Sequence, residues 1–149
     1  ADEPSTALDV TIQAQVLDLM LQFKETYGAA IILITHDLGV IAEVAEKVAV
    51  MYAGQIVEEA EVEEIFDDPL HPYTRSLLKS IPILGQRFES EGRVELNEIK
   101  GIVPSLYELP RGCNFYPRCP DAQPKCNEAG IPLISTKDNR KVRCILHNS

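Results

Sequence analysis

Apolar and polar residues alternate with changing period along the chain, and each change predicts an element. Ile12, Val16, Leu19, Met20 and Phe23 recur at helical spacing, so Thr11 to Tyr27 reads as an amphipathic helix that Gly28 stops. Ala29 to Thr35 (AAIILIT) is an unbroken apolar run, the pattern of a parallel strand covered on both faces. Asp37 is placed to cap a helix running to about Glu46, with Val40, Ile41, Val44 and Ala45 inward. KVAVMYAGQIVEEA reads as two strands joined at Ala53-Gly54, and EVEEIF as a short acidic helix ended by Asp67, Asp68 and Pro69. HPYTRSLLKSI starts another helix, with Pro72 in its first turn. From Ile81 to Asn97 periodicity fades and Pro82, Gly85 and Gly92 suggest a linker. The remainder is irregular and rich in Pro, Gly and Cys, so it is expected to need a covalent or metal staple.

Charge sharpens this division. Residues 1–100 carry 7 Lys/Arg against 19 Asp/Glu, whereas residues 101–149 carry 7 against 4 and hold all four cysteines. The reading is therefore three segments: 1–80, a linker over 81–100, and 101–149. The overall charge of -9 speaks against nucleic acid as a partner. No apolar run approaches the ~20 residues that cross a bilayer, and Ala1 to Asp9 lacks the features of a signal peptide. A membrane link is thus expected to come through a partner.

ADEPSTALD at the start raises a chemical question. Paired carboxylates at the end of a strand suit magnesium binding and activation of water, although Asp2-Glu3 alone would equally suit a solvated surface. After the predicted helix and buried strand comes ITHD, which places His36 at a second strand end. Ligands gather at such carboxyl ends in open α/β sheets. Taken singly, His36 would be a satisfied histidine at a strand end. In order and spacing, however, DEPSTALD followed by ITHD resembles the ATP-binding cassette (ABC) transporter ATPases. The resemblance implies an α/β fold, the C-terminal part of a P-loop ABC nucleotide-binding domain. It implies that Asp2 handles Mg²⁺ of Mg-ATP, Glu3 is the general base, and His36 contacts the γ-phosphate. Asp9, in Thr6-Ala7-Leu8-Asp9, would belong to the D-loop that communicates across a dimer of ATPase subunits.

No stretch matches the phosphate-cradling G-x-x-x-x-G-K-[ST], and the family's LSGGQ-type signature is also lacking. The chain is accordingly expected to be a C-terminal fragment that does not hydrolyse ATP alone, with strand edges at Ala30 to Thr35 open to swapping.

HPYTRSLL, following GQIVEEAEVEEIF, resembles the ATPases of dipeptide and oligopeptide importers in the oligopeptide/nickel subfamily, and IKGIVPSLYELPRGCNFYPRCPDAQPKC resembles that subfamily's C-terminal extension. The implied function is that of an energy-coupling ATPase at the cytoplasmic face of the membrane. Its partners would be a second ATPase subunit and permease subunits, with an extracytoplasmic peptide-binding protein acting indirectly. A nickel importer ATPase is a variant. A metal- or cluster-binding regulatory module without catalysis is the alternative from another class.

Cys113, Cys119, Cys126 and Cys144 are separated by five, six and seventeen residues. Structural zinc favours closer pairs, C-x₂₋₄-C. Four thiolates also suit a [4Fe-4S] cluster, which tolerates varied loops, and Arg111, Arg118, Lys125 and Arg143 lie nearby to offset its charge. A cytosolic location disfavours disulfides. The resemblance points toward the cluster, because some dipeptide-importer ATPases carry one in this extension. Zinc, with His147 as a spare ligand, and free or oxidised thiols remain the alternatives. The modest role of either metal group is to staple the tail; redox regulation or docking on a partner ATPase is also open.

Overall fold

The computed structural model describes residues 1–4, 9–81 and 98–147. The chain is mixed α/β and divides into two compact units, Ala1–Glu46 and Lys47–Ser149. No described helix is long and apolar enough to cross a membrane.

In the first unit, helix α1 spans Val10–Tyr27. Its first free N–H groups are met by the Asp9 carboxylate, which accepts from Thr11 and Ile12. Gly28 adopts φ 60° and returns its N–H to the Lys24 carbonyl, the left-handed stop that a side chain would disfavour. Helix α2 spans Leu38–Val44, shorter than the expected reach to Glu46. The expected strand Ala29–Thr35 is reduced to a single parallel bridge between Asp2 and Ile34. Among the described residues, only the backbone of Ala1–Glu3 runs alongside it: Ala1 donates to the Ile32 carbonyl, Ile34 to Ala1, and Glu3 to Ile34. A strand exists by virtue of its neighbours. With one short neighbour among the described residues, Ile32 stays 79% and Ile34 56% exposed rather than covered on both faces.

The second unit is built on a four-stranded antiparallel sheet of order β1-β2-β4-β3. Strands β1 (Lys47–Tyr52) and β2 (Gln55–Glu61) form the predicted hairpin. Ala53 and Gly54 both have positive φ, 44° and 78°, which matches a tight two-residue turn to the twist of the strands. A bulge beside Val50 leaves Val57 as the extra residue of β2. Helix α3 (Val62–Asp67) and helix α4 (Pro72–Lys79) follow as expected, α3 with a capping box between Glu61 and Glu64 and α4 with His71 as its N-cap. Strands β3 (Ile134–Ser135) and β4 (Lys141–Val142) come from the Cys-rich part, and β4 pairs directly with β2.

The compact units therefore do not part near residue 100. Hairpin and Cys-rich segment fold together, joined by a core in which Tyr52 and Val57 pack on fully buried Phe115. Ring centroids of Tyr52 and Tyr73 lie 5.2 and 5.3 Å from that of Phe115. The charge asymmetry is absorbed within this unit. Arg75 pairs with Asp121 at 2.9 Å, Arg140 with Asp68 at 3.1 Å and Lys141 with Glu59 at 2.8 Å, each joining the two sides of the expected boundary. The expected linker over 81–100 lies outside the described residues between 82 and 97.

Candidate functional site

Two groups of candidate residues lie in separate units. In the first, the Asp2–Ile34 bridge sets two chain segments side by side, so that the residues following each bridge partner meet. Glu3 Oε1 lies 3.0 Å from His36 Nδ1, and both side chains are accessible to solvent. Glu3 holds φ 43°, a left-handed conformation that costs a non-glycine residue free energy and is common where function dictates geometry. Asp2 stands next to this pair in the bridge. Asp9 is engaged differently: Oδ1 receives Thr11 N–H and Ile12 N–H, each at 3.0 Å, so the carboxylate holds the start of α1.

Asp37 supports the His36 segment. It caps α2 through the N–H groups of Gly39 and Val40, and its other oxygen accepts from Gln13 Nε2 at 3.3 Å. The Val40 N–H, then the Gln13 amide, holds the Asp37 carboxyl below the usual range. Gln13 thus ties α1 to the histidine segment, a link that sequence periodicity does not disclose because the partners are twenty-four positions apart.

The second group surrounds a small cavity of about 10 Å³, lined by Cys113, Cys119, Cys126 and Cys144 together with His71 and Asp121. The Cys113 N–H donates to the Cys126 carbonyl at 2.8 Å, and Gly112 makes this approach possible, since a Cβ there would stand 2.1 Å from the same oxygen. Burial pushes the thiols of Cys113 and Cys144 up, and that of Cys119 up to about 11. Neighbouring thiols add to this: Cys126 on Cys113, Cys113 and Cys144 on Cys119, and Cys113 and Cys126 on Cys144. Against burial work backbone N–H groups and, at Cys113 and Cys144, the positive charges of Arg143 and Arg75.

Thiolates are the donors that sulfur-ligated metal groups use. Yet among the described residues no group of three or more His, Cys, Asp or Glu is placed to hold a metal ion. A cavity of this size has room for about one water. The thiols are neighbours, but they do not converge on one ion-sized point. His147 is engaged elsewhere, with Nε2 3.1 Å from the Leu70 carbonyl.

Motif spacing alone assigns His71 and Glu58 no part in the chemistry. Glu58 is wholly buried and accepts the N–H groups of Leu70 at 2.6 Å and His71 at 2.9 Å. His71 is 1% exposed. Its Nδ1 accepts the Tyr73 N–H at 3.0 Å, and Nε2 is buried. Burial, aided by the positive charge of Arg75, pushes its pKa down to about 4; a backbone hydrogen bond with Arg143 acts the other way. The available signal was the quoted motif itself, with glutamate in GQIVE and histidine in HPY.

Residues 57–126 match the family described as "Oligopeptide/dipeptide transporter, C-terminal region". The chain is 53% identical over 148 residues to the oligopeptide transport ATP-binding protein AppD of Bacillus subtilis (strain 168), covering 99% of this chain and 43% of that protein. It is 48% identical over 144 residues to the dipeptide transport ATP-binding protein DppD of Haemophilus influenzae, covering 97% of this chain and 42% of the relative. With DppD of Escherichia coli (strain K12) the identity is 45% over 144 residues, with the same coverage. The chain spans about 43% of the length of the curated relatives it matches. Over nearly its whole length it is homologous to the C-terminal part of the ATP-binding proteins of oligopeptide and dipeptide ABC transporters, and residues 57–126 carry that family's C-terminal region.

Proposed function

We propose that this chain serves, within a longer ATPase, as part of the energy-coupling subunit of a peptide ABC importer. The observation that carries this reading is the 3.0 Å approach of Glu3 to His36, flanked by Asp2. Asp2 would hold Mg²⁺ of the Mg-ATP substrate; the ion, when bound, neutralises charge on the phosphates. Glu3 orients water and takes its proton, while His36 contacts the γ-phosphate and steadies Glu3 between turnovers. Asp9, besides holding α1, would transmit the state of one site to the other in a dimer of ATPase subunits. Such a dimer drives permease subunits from the cytoplasmic face of the membrane, with peptide delivered by an extracytoplasmic binding protein. The 149 residues alone include no phosphate-cradling loop and would not turn over ATP.

In an ATPase that carries this segment together with a phosphate-binding loop, Glu3→Gln is expected to lower kcat by about 10²–10⁴-fold, the usual worth of a positioned base. Turnover within twofold of the parent would overturn the assignment of Glu3.

The thiol cavity supports a second component. Cys113, Cys119, Cys126 and Cys144 would hold a [4Fe-4S] cluster, with zinc as the alternative. The group would staple the Cys-rich segment against the hairpin. Protein prepared anaerobically is expected to be brown, with absorbance near ~400 nm and iron and sulfide in equal amounts. Colourless protein carrying zinc would favour the other metal. A chain that binds a cluster but remains inert when joined to a competent phosphate-binding loop would instead be a cluster-bearing interaction module.

A further inference from the structure

We infer that Gln13 is a positioning residue for the phosphate site: by binding the carboxylate of Asp37 it holds the segment that presents His36 to Glu3. This rests on the reading of Glu3 and His36 as parts of that site.

His36 sits between two anchors. On its N-terminal side, Ile34 is fixed by the backbone bonds of the bridge, donating to the Ala1 carbonyl and accepting from Glu3, each at 2.8 Å. On its C-terminal side stands Asp37, whose carboxylate is divided between two tasks. Oδ1 caps α2, accepting from Gly39 at 2.9 Å and Val40 at 3.3 Å. These bonds are local, so they fix Asp37 only against its own helix of seven residues. Oδ2 accepts from Gln13 Nε2 at 3.3 Å, and this bond reaches another element. A carboxylate is an acceptor only, so Gln13 turns its amide nitrogen toward Asp37.

Gln13 is itself held in place. It lies in the first turn of α1, and its backbone N–H donates to the Asp9 carbonyl at 2.9 Å. The Asp9 side chain secures the same turn through Thr11 and Ile12. Contacts thus run from Asp9 through Gln13 to Asp37, next to His36. Among the described residues two side-chain hydrogen bonds join α1 to this segment, Gln13 to Asp37 and Lys24 to Glu46. The second lies beyond the end of α2, and only the first is adjacent to the histidine.

Such a link contributes little to stability, because water replaces an exposed hydrogen bond at small net cost. Positioning is more demanding: a misplacement of ~1 Å can lower a rate about 10²-fold. Removing the Gln13 amide therefore separates turnover from stability.

The test uses a full-length transport ATPase that carries this segment together with its phosphate-binding loop. Gln13→Met keeps the length and helix preference of the side chain but removes the donor. Its kcat is expected to fall about tenfold, with KM for ATP within about twofold of the parent and Tm unmoved. Asp37→Ser keeps an oxygen that caps α2 but is too short to reach Gln13. Adding Gln13→Met to Asp37→Ser is expected to bring no further loss, because the two residues act through one contact. Turnover by Gln13→Met within twofold of the parent overturns the proposal. An equal loss from Gln13→Met in the parent and in Asp37→Ser also overturns it, since Gln13 would then act by another route. If Gln13→Met fails to fold, Gln13→Glu decides, because it favours the helix and sets a second carboxylate against Asp37. A lowered kcat at unchanged Tm is expected there, and parent turnover overturns the proposal. The site reading fails separately: parent turnover in Glu3→Gln removes it whatever Gln13 does, whereas failure of the Gln13 proposal leaves Glu3→Gln slow.

Discussion

The buried carboxylate of Glu58 accepts the backbone N–H of His71 at 2.9 Å, and its other oxygen accepts that of Leu70 at 2.6 Å. One side chain on strand β2 thereby sets the approach to helix α4. Glu58→Ala would leave one buried and one partly buried donor without their partner, at about 1–3 kcal/mol each when fully buried. The expected loss is about 2–5 kcal/mol, read as a lower midpoint in urea unfolding. A midpoint within experimental error of the parent would show that water or a backbone shift replaces the carboxylate.

His71 makes stability depend on pH. Its pKa falls from 6.5 to about 4 on folding, because burial disfavours the imidazolium. Between these values the unfolded chain binds a proton that the folded chain refuses, so stability rises with pH across this window. The contribution is fully present above about pH 6.5 and is lost as pH falls toward 4. At 1.36 kcal/mol per unit it amounts to about 3 kcal/mol. Unfolding free energies measured from pH 4 to 7 in the parent and His71→Asn are expected to differ in slope, with the variant flatter. Parallel curves would assign the pH dependence to other groups.

Gly112→Ala is expected to be severe for a steric reason. The added Cβ would stand 2.1 Å from the Cys126 carbonyl oxygen and 2.8 Å from its carbon, both backbone atoms that cannot rotate away. Overpacking of this kind costs about 1–3 kcal/mol, and here it also pushes apart the Cys113–Cys126 hydrogen bond. Thermal unfolding should report the loss, and metal uptake should fall with it. A variant that retains both the parent Tm and full metal uptake would show that the segment adjusts freely.

Asp9 separates capping from any other duty. Asp9→Asn preserves an oxygen for Thr11 and Ile12, whereas Asp9→Ala removes it. Circular dichroism melts are expected to show little change for the first and a loss of about 1 kcal/mol for the second. If a transport ATPase containing Asp9→Asn loses coupling between its two sites while keeping its stability, the carboxylate has a role beyond the cap.

Local order was legible where the chain's own backbone supplies the partners. Asp37 announced a helix start, Gly28 a helix end, Ala53-Gly54 a hairpin and Pro72 the first turn of α4, because each signal acts within a few residues; the cap at Asp9 was not among the signals read. The strand expected over Ala29–Thr35 illustrates the limit. Apolar composition indicates an appetite for burial, but a ladder requires neighbours, and only Ala1–Glu3 runs beside it among the described residues. The change in composition near residue 100 was equally real, yet β4 pairs with β2 across it and Phe115 completes the hairpin's core.

The order of residues alone determined which chemical groups this protein has and their short-range geometry: the acidic doublet, the histidine thirty-three positions beyond Glu3, the four thiols, and the caps and turns between them. Tertiary structure decided which groups meet. It brought Glu3 within 3.0 Å of His36, gathered four widely spaced cysteines at one cavity with His71 on its wall, and buried Glu58 against the backbone of His71. The reason is physical: capping and turn preferences are decided by a few adjacent bonds, whereas burial and pairing between distant segments depend on how the whole chain excludes water.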